Sequence, residues 1–367
     1  MKFLILTIFC ITISLKATYS QVASQSNNLE VQVDFESAKA IVSLFDKVKI
    51  SDSELTRIAK LYGNQQLIKK VGSYSGYANE EFFKKTLREV IETGTVKSDD
   101  PFDWKLVKAK QSQVKKLINR LETHETLVSD VRALIQAYTP QDIKATVKAC
   151  FLVGGGSLGF VIDDPNTFNV GLQKIGDDYE GLVYLVAHEL YHSVQGIGRD
   201  RRTKVKSPSA PPKNVLYAEA LIRNLWDEGS ANLVGDFTKI KNPETFTKAQ
   251  QDGYEKNKNR SAQNFALFES LLFTAYADST ANIEQLYNVG FTVAFDETSY
   301  FVGYEIAKVI EEHKGAKALA DCINKGPLEF CRLYISLYRG DPKLRMIKFN
   351  PSTEVILTKL EVWEKSF

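Results

Sequence analysis

The apolar positions in the first third of the chain recur with the spacing of amphipathic helices. From about residue 34 to residue 138, apolar residues repeat every three to four positions. Helix-start signals precede two of the runs: Ser51 with Glu54 forms a capping box, and Asn79 precedes EEFFKKTLREVIE. The pattern therefore predicts a helical N-terminal region, residues 21–145, and it contains no cluster of catalytic residue types.

The pattern changes at residue 146, where apolar helical spacing gives way to β-branched and glycine-rich sequence. The runs TVKACFLVGGGSLGFVIDD and TFNVGLQKI, within residues 146–175, predict two or more strands. The glycines at 154–156 lack the Lys-Ser/Thr ending of a phosphate-binding P-loop, so they favour a bulge or a tight turn. The alternative is a strand edge left bare of side chains, where an extended ligand approaches.

Two further helical registers follow the strands. An acidic cap, Asp177 with Glu180, begins the first register, which continues through Gln195 and is apolar around much of its circumference, as in a buried helix. Residues 196–213 are basic and proline-rich, which favours an exposed loop; a lid or a selector of substrate charge is the alternative. The second register spans about residues 215–236.

Together these patterns predict an α+β fold that is mostly helical, with a small glycine-rich β-sheet beside the first of these two helices. The second half of the chain, residues 146–367, carries the residues with candidate chemistry.

The first twenty residues are typical of a secretory signal peptide. Lys2 precedes an apolar run from Phe3 to Leu15, and small or polar residues follow up to Ser20. This run is shorter than the roughly 20 residues that a membrane span needs, and no later segment is as apolar. We therefore expect a secreted or periplasmic protein with no stable membrane anchor after cleavage.

Composition excludes little beyond polyanion binding. Residues 1–20 hold two lysines and no acid, so the remaining charges balance, and the aromatic residues are not interleaved with basic clusters. No nucleic-acid partner is expected. The cysteines after residue 20 are Cys150, Cys322 and Cys331, which allow either one disulfide between the last two, across the Gly326-Pro327 turn, or three buried thiols.

Two of the four histidines lie in one pentapeptide, His188-Glu189-Leu190-Tyr191-His192. In a helix His188 and His192 project from the same face and can bind one metal ion, while Glu189 stays close enough to act on a water molecule. This HExxH pattern predicts a zinc enzyme. The other histidines, His124 and His313, are expected at the surface or at a helix end.

A catalytic zinc ion takes three protein ligands, so a third donor is required. Glu228, in the second helical register, is the candidate, and Asp227 and Glu219 are its competitors. Asp227 projects about 100° away from Glu228, so both can hardly face one ion. Gly229 and Ala231 would let the two helices approach closely.

At these residues the sequence resembles the gluzincins, zinc metallopeptidases whose ligands are two HExxH histidines and a glutamate on a following helix. The string Glu228-Gly229-Ser230-Ala231 is similar to the E-G-x-A signature of their aminopeptidase-like branch. The chain also resembles a family of zinc-dependent peptidases of unknown function with a later Y-x-x-G-Y helix, here Tyr300-Phe301-Val302-Gly303-Tyr304. The resemblance covers about residues 146–340 and implies a zincin-like catalytic domain at 146–367.

The sequence departs from the better-known gluzincins at two points. Thirty-five residues separate His192 from Glu228, a gap roughly twice that of those enzymes, and the basic loop would account for the excess. Asn232 stands where thermolysin-like enzymes carry an aspartate that orients a ligand histidine. An amide still accepts a hydrogen bond but should raise ligand basicity less.

The resemblance implies one zinc ion per chain, bound by His188, His192 and Glu228, and a peptide or protein substrate. Glu189 would be the general base. A tyrosine hydroxyl would stabilise the oxyanion, and Tyr300 or Tyr304, on one face of a predicted helix, would provide it; packing in the core is the alternative for each. Other hypotheses are a non-catalytic binding protein on the same scaffold and a zinc hydrolase of non-peptide amides or esters. Glu189 favours catalysis.

Overall fold

The amphipathic spacing of the N-terminal region corresponds to seven α-helices in the computed structural model, which describes residues 28–123, 126–164, 166–202 and 210–367. The predicted signal peptide and His124 lie outside these described residues. The side chains of Ser51 and Asn79 cap their helices as predicted, accepting from the backbone N–H groups of Glu54 and Phe82. The helices are α1 (Glu36–Leu44), α2 (Asp52–Ala59), α3 (Tyr62–Tyr74), α4 (Glu80–Thr93), α5 (Trp104–Ala109), α6 (Gln111–Thr123) and α7 (Leu127–Ile135).

A strand precedes these helices, so the prediction of a helical N-terminal region missed one element. Strand β1 (Asn28–Asp34) pairs in parallel with β2 (Lys144–Leu152), with Val31 opposite Val147. Its sequence alternates apolar and polar residues from Leu29 to Val33, which is the period of a strand with one buried face. The N-terminal segment therefore supplies an edge of the sheet.

The sheet has four strands in the order β1-β2-β4-β3. Strand β4 (Thr167–Gly171) is parallel to β2, whereas the short strand β3 (Gly159–Phe160) is antiparallel to β4 and forms the other edge. The α+β, mostly helical fold with one small sheet is thus confirmed, and the predicted strands lie within residues 144–171.

The glycine run after β2 forms a turn, as its structural interpretation predicts. Gly154 and Gly155 have φ angles of +113° and +73°, a backbone region that L side chains rarely adopt. A Cβ at Gly154 would lie 3.0 Å from Leu67, and the Gly155 N–H donates to the carbonyl of Phe102. The run therefore packs the sheet against the N-terminal helices.

The second half of the chain packs its helices around α9, which contacts α8, α11, α13 and α15. Within the described residues no helix is both long enough and apolar enough to span a membrane. The helices are α8 (Tyr179–Arg201), α9 (Lys213–Val234), α10 (Thr245–Lys258), α11 (Ser261–Ala277), α12 (Ile283–Phe291), α13 (Thr298–Lys314), α14 (Ala316–Lys325), α15 (Pro327–Gly340) and α16 (Pro351–Glu361).

The predicted loop at 196–213 is wrong at its start, because α8 continues through Arg201. Gly198 does not end the helix. It is buried against α14, where a Cβ would overlap Ile323. The connection between α8 and α9 is thus limited to residues 202–212, of which 203–209 lie outside the described part.

Cys150, Cys322 and Cys331 are buried and unpaired, so the disulfide alternative is wrong and the three-thiol alternative holds. Burial raises the pKa of each thiol to about 12. These cysteines act as small apolar core residues.

Candidate metal centre

The helix that carries HExxH begins with a side-chain cap one residue later than predicted. The Asp178 carboxylate accepts a hydrogen bond from the Gly181 N–H at 2.8 Å, and its second oxygen accepts from the Thr247 N–H at 2.9 Å. Asp177 instead forms an ion pair with Lys116 at 2.7 Å. The cap attaches α8 to the start of α10, and much of α8 is buried as its sequence predicts.

Three predicted ligands converge between α8 and α9. The Nε2 atoms of His188 and His192 lie 3.1 Å apart, and Glu228 Oε2 lies 3.6 Å from the first and 3.2 Å from the second. All three side chains are partly accessible, at 12%, 21% and 17%. Among the described residues they form the only group of three histidine, cysteine or carboxylate donors close enough to bind one metal ion.

The spacing of these donors fits zinc. Bonds of about 2.0–2.1 Å in a tetrahedron place the ligand atoms about 3.3–3.4 Å from one another, and the three distances in this site lie on either side of that value. Two imidazoles and one carboxylate are also a donor set that zinc accepts in catalytic sites. The residues present therefore fit a zinc ion with an open fourth position.

The charges of the donors are strongly coupled. Burial lowers the pKa of His192, but attraction to Glu228 outweighs it and raises this pKa to about 10. Burial raises the pKa of Glu228, but His192 and His188 hold it well below the usual range. Without a metal ion, the Glu228 carboxylate is therefore stabilised by a histidine proton, which a metal ion displaces when it binds.

The competing carboxylates lie elsewhere. Glu219 pairs with Arg223 at 3.3 Å, one turn along α9. Asp227 is not in the donor group, although its backbone carbonyl accepts a hydrogen bond close to the site. The geometry therefore favours Glu228 as third ligand.

An amide on α8 fixes the orientation of His192. Gln195 Oε1 lies 2.9 Å from His192 Nδ1, and Gln195 Nε2 donates to the carbonyl of Asp227 at 3.0 Å and to Ser230 Oγ at 3.1 Å. Because the nitrogen of the amide is used by two acceptors, its oxygen faces the imidazole and accepts the Nδ1 proton. In the neutral imidazole, which is the form that binds a metal ion, Nε2 of His192 then carries the lone pair that points toward the donor group.

Gln195, rather than Asn232, is thus the amide that contacts a ligand histidine. Asn232 is buried and accepts a hydrogen bond from Tyr254 through its backbone carbonyl, at 3.1 Å. Its side chain has no hydrogen bond to either ligand histidine in the described structure. The sequence contained a signal for Gln195, since a residue three positions after His192 lies on the same helix face.

Glu189 lies next to the edge strand of the sheet. Its side chain is buried, and burial raises its pKa while the two histidines lower it. Gly159 of β3 is immediately adjacent, because a Cβ at this position would overlap the Glu189 carboxylate. The strand edge bare of side chains is therefore at Gly159 and not at the glycine run that the sequence singles out.

The two tyrosines of α13 have different surroundings. Burial raises the pKa of Tyr300, and Glu228 and Glu189 both raise it further; Tyr300 also lies one turn before Gly303, whose backbone is in contact with Gly229, the residue after Glu228. The Tyr304 hydroxyl donates to Asp236 at 3.0 Å. The structure therefore brings Tyr300 to the metal centre and engages Tyr304 in a buried hydrogen bond.

Helix α13 also brings a residue that the sequence did not single out. Glu297 precedes α13 with φ of +50°, a conformation that is uncommon for a residue with a side chain. Burial raises its pKa, Glu228 raises it further and His188 lowers it, so its carboxylate is close to the donors. Its position depends on a left-handed turn after α12, which no helix-start signal in the sequence announces.

A glycine contact sets the distance between α9 and α13. A Cβ at Gly229 would overlap the backbone of Gly303, and a Cβ at Gly303 would overlap the carbonyl of Leu225. The predicted role of Gly229 in the approach of α9 to α8 is therefore wrong, because this glycine faces α13. The contact places the turn of Glu228 against the turn of Tyr300.

Residues 55–343 match the model of a family described as "Putative zinc dependent peptidase" (DUF5700). The chain belongs to this family. The match includes the donor group, Glu189 and the α13 tyrosines, and it extends well into the N-terminal helices that the resemblance in the sequence did not cover. No curated protein and no solved structure matches the chain.

Proposed function

We propose that this protein is an exported zinc peptidase that binds one zinc ion through His188, His192 and Glu228. The observation that carries the proposal is the set of donor separations, 3.1, 3.2 and 3.6 Å, beside a buried glutamate that is not itself a ligand. A purely structural zinc site has no use for a base next to an open coordination position. The family description supports the same activity.

Glu189 is the general base in this proposal. Zinc, when bound, supplies a Lewis acid that polarises the scissile carbonyl and makes water acidic near neutral pH. The Glu189 carboxylate takes the proton of the attacking water and delivers it to the leaving amine. Burial raises its pKa, which brings a carboxylate closer to the neutral range in which it can both accept and return a proton.

Tyr300 is the proposed donor to the oxyanion of the tetrahedral intermediate. Its hydroxyl has no hydrogen-bond partner among the described residues, and Glu228 and Glu189 both act on its pKa. A phenol with a raised pKa keeps its proton and can donate it in a hydrogen bond. Tyr304 is already bonded to Asp236, so we assign it a structural role.

The edge strand β3 supports a peptide as the substrate. Strand β3 pairs with β4 on one side only, and Gly159 of β3 lies directly against the Glu189 carboxylate. An extended peptide can add to such an edge through main-chain hydrogen bonds, with its scissile bond next to the base. The zincin-like fold belongs to this proposal, as does export, which rests on the signal-peptide pattern of residues 1–20.

The Glu189→Gln variant tests this function. Its turnover of a diverse peptide library, followed by mass spectrometry of the products, should fall about 10²- to 10⁴-fold, the contribution of a positioned base. Zinc content should remain at one ion per chain. Glu180→Gln, the same change at an exposed position of α8, is the control and should keep full activity.

Two outcomes would replace the proposal. Equal inactivity of the wild type and Glu189→Gln on peptides, amides and esters, with zinc bound, would indicate a binding protein. Wild-type hydrolysis of small amides or esters but of no peptide would indicate a hydrolase of other substrates.

A further inference from the structure

A basic cavity lies beyond the metal ligands, where the end of α8 meets the start of α9 and the turn between α14 and α15. Its volume is about 570 Å³. Six of its fifteen lining residues are lysine or arginine, and two are acidic. The cavity takes no part in the proposed peptidase chemistry, since Arg199 follows His192 by seven residues, about 10 Å along the helix.

Three of the six cations have carboxylate partners. Lys325 pairs with Glu329 at 2.9 Å, Arg332 with Glu364 at 2.7 Å, and Arg223 with Glu219 at 3.3 Å. Lys365 lines the rim of the cavity, near the C-terminal end of the chain. Arg199 and Arg202 form no ion pair within the described residues, and the lining carboxylate Glu219 acts on both of them from a greater distance, so the α8 side of the cavity carries a net positive charge.

Arg202 and the turn between α14 and α15 form one wall of the cavity. Arg202 is half-buried; one of its nitrogens donates to the carbonyl of Ile323 at 3.4 Å, and its guanidinium lies 5.9 Å from the ring of Trp226. Burial and then repulsion from Arg199 lower the pKa of Arg202, and the more distant carboxylates of Asp227 and Glu219 offset part of this shift. A half-buried guanidinium that has no carboxylate at ion-pair distance among the described residues gains stability when an anion binds to it.

A second feature of the same wall is also electropositive. Gly326, with φ of +98°, precedes α15, and a Cβ there would lie 3.1 Å from the guanidinium of Arg202. No side chain caps this helix start, and Pro327 follows at its first turn. The positive end of the α15 dipole therefore lies beside Arg202, while the one acidic residue in the first turn, Glu329, is paired with Lys325 and Arg332.

We propose that this cavity binds a phosphate group, free or on a small organic molecule, between Arg199, Arg202 and the start of α15. Guanidinium groups match phosphate oxygens with paired hydrogen bonds, and helix N-termini favour the same anion. The volume lies within the range of small-molecule sites, about 300–1,000 Å³, and exceeds what one phosphate fills. Leu216 and Leu328 supply apolar surface for the remainder of an organic phosphate.

Calorimetric titration of the zinc-loaded full chain tests the site, with inorganic phosphate and glycerol 3-phosphate as probes at constant ionic strength in chloride. We expect one phosphate per chain. Arg199→Met and Arg202→Met should each weaken binding about 10-fold or more, as expected when a charge-assisted hydrogen bond is removed. Arg57→Met, which removes the same charge at an exposed position of α2, is the control and should bind normally.

The two probes distinguish the source of the phosphate. Tighter binding of glycerol 3-phosphate assigns the cavity to an organic phosphate, and equal or weaker binding assigns it to the free ion. Circular dichroism verifies folding; if Arg202→Met is unfolded, Arg199→Met decides alone. Three results would overturn the proposal. The first is that neither probe binds, and the second is that succinate binds as tightly as phosphate. The third is that the folded arginine variants keep the wild-type affinity, which would indicate that phosphate binds to the zinc ion.

Discussion

The two sides of the metal centre differ in how their polar groups are satisfied. On the ligand side, His192 is fixed by Gln195, whose amide nitrogen also bonds to the backbone and side chain of α9. On the opposite side, the Glu189 carboxylate and the Tyr300 hydroxyl have no hydrogen-bond partner in the described part of the chain. Most buried polar groups in proteins are paired. In the proposed function, this difference means that the candidate ligands are preorganised, whereas the candidate reactive groups remain available to a substrate.

Removing one zinc ligand should abolish zinc binding, which is the largest effect expected on the ligand side. His188→Ala, His192→Ala and Glu228→Ala should each lose zinc and with it all turnover, because two donors do not hold the ion against dilution. The affinity loss, measured by competition with a chromogenic chelator, should exceed the about 10–100-fold cost of losing an outer hydrogen bond. Glu219→Ala, at the other carboxylate of α9, is the control and should retain zinc. Full zinc occupancy in Glu228→Ala would assign the third ligand elsewhere.

The tyrosine pair tests the reactive side. Tyr300→Phe should reduce kcat about 10²- to 10³-fold, as loss of an oxyanion donor does, with zinc affinity and unfolding unchanged. Tyr304→Phe should leave kcat nearly intact but lower the free energy of unfolding by about 1–3 kcal/mol, because Asp236 is 2% exposed and loses a partner. Steady-state kinetics and chemical denaturation of both variants are the measurements. If Tyr304→Phe reduces kcat and Tyr300→Phe only lowers stability, Tyr304 is the oxyanion donor and Tyr300 the structural residue.

The smallest effect is expected at Gln195. Gln195→Met keeps the size of the side chain but removes its three hydrogen bonds, so zinc affinity should fall about 10–100-fold while bound zinc still supports turnover. Ser230→Ala removes one of the two acceptors and should weaken zinc less. Unchanged affinity in Gln195→Met would show that the imidazole keeps its orientation without the amide, and the contrast between the two sides would then be smaller than proposed.

Local spacing explains what the sequence predicted well. His188 and His192 lie on the same helix face whenever their segment is helical. Glu228 was predicted because a catalytic zinc site needs a third donor, and the next helix offers one. The caps at Ser51 and Asn79 are equally local, since each depends on residues within one turn.

Contacts between distant segments explain what the sequence missed. The bare strand edge is at Gly159, and the closeness of that glycine to Glu189 depends on how the sheet packs on α8. The basic, proline-rich composition of residues 196–213 predicts a loop, although α8 continues through Arg201 and Gly198 is buried against Ile323. In each case, the partner that gives the glycine its role is distant in the sequence.

The contact between Gly229 and Gly303 has a consequence for the precision of the site. Glu228 and Tyr300 stand on two helices whose separation is set by backbone atoms in direct contact. Backbone atoms have no rotamers, so the offset between third ligand and tyrosine does not vary with side-chain conformation, as it would if long side chains spaced the helices. Thermal motion of the surrounding core should therefore change the distance between the backbones at Glu228 and Tyr300 less than it changes other distances of similar length in the molecule.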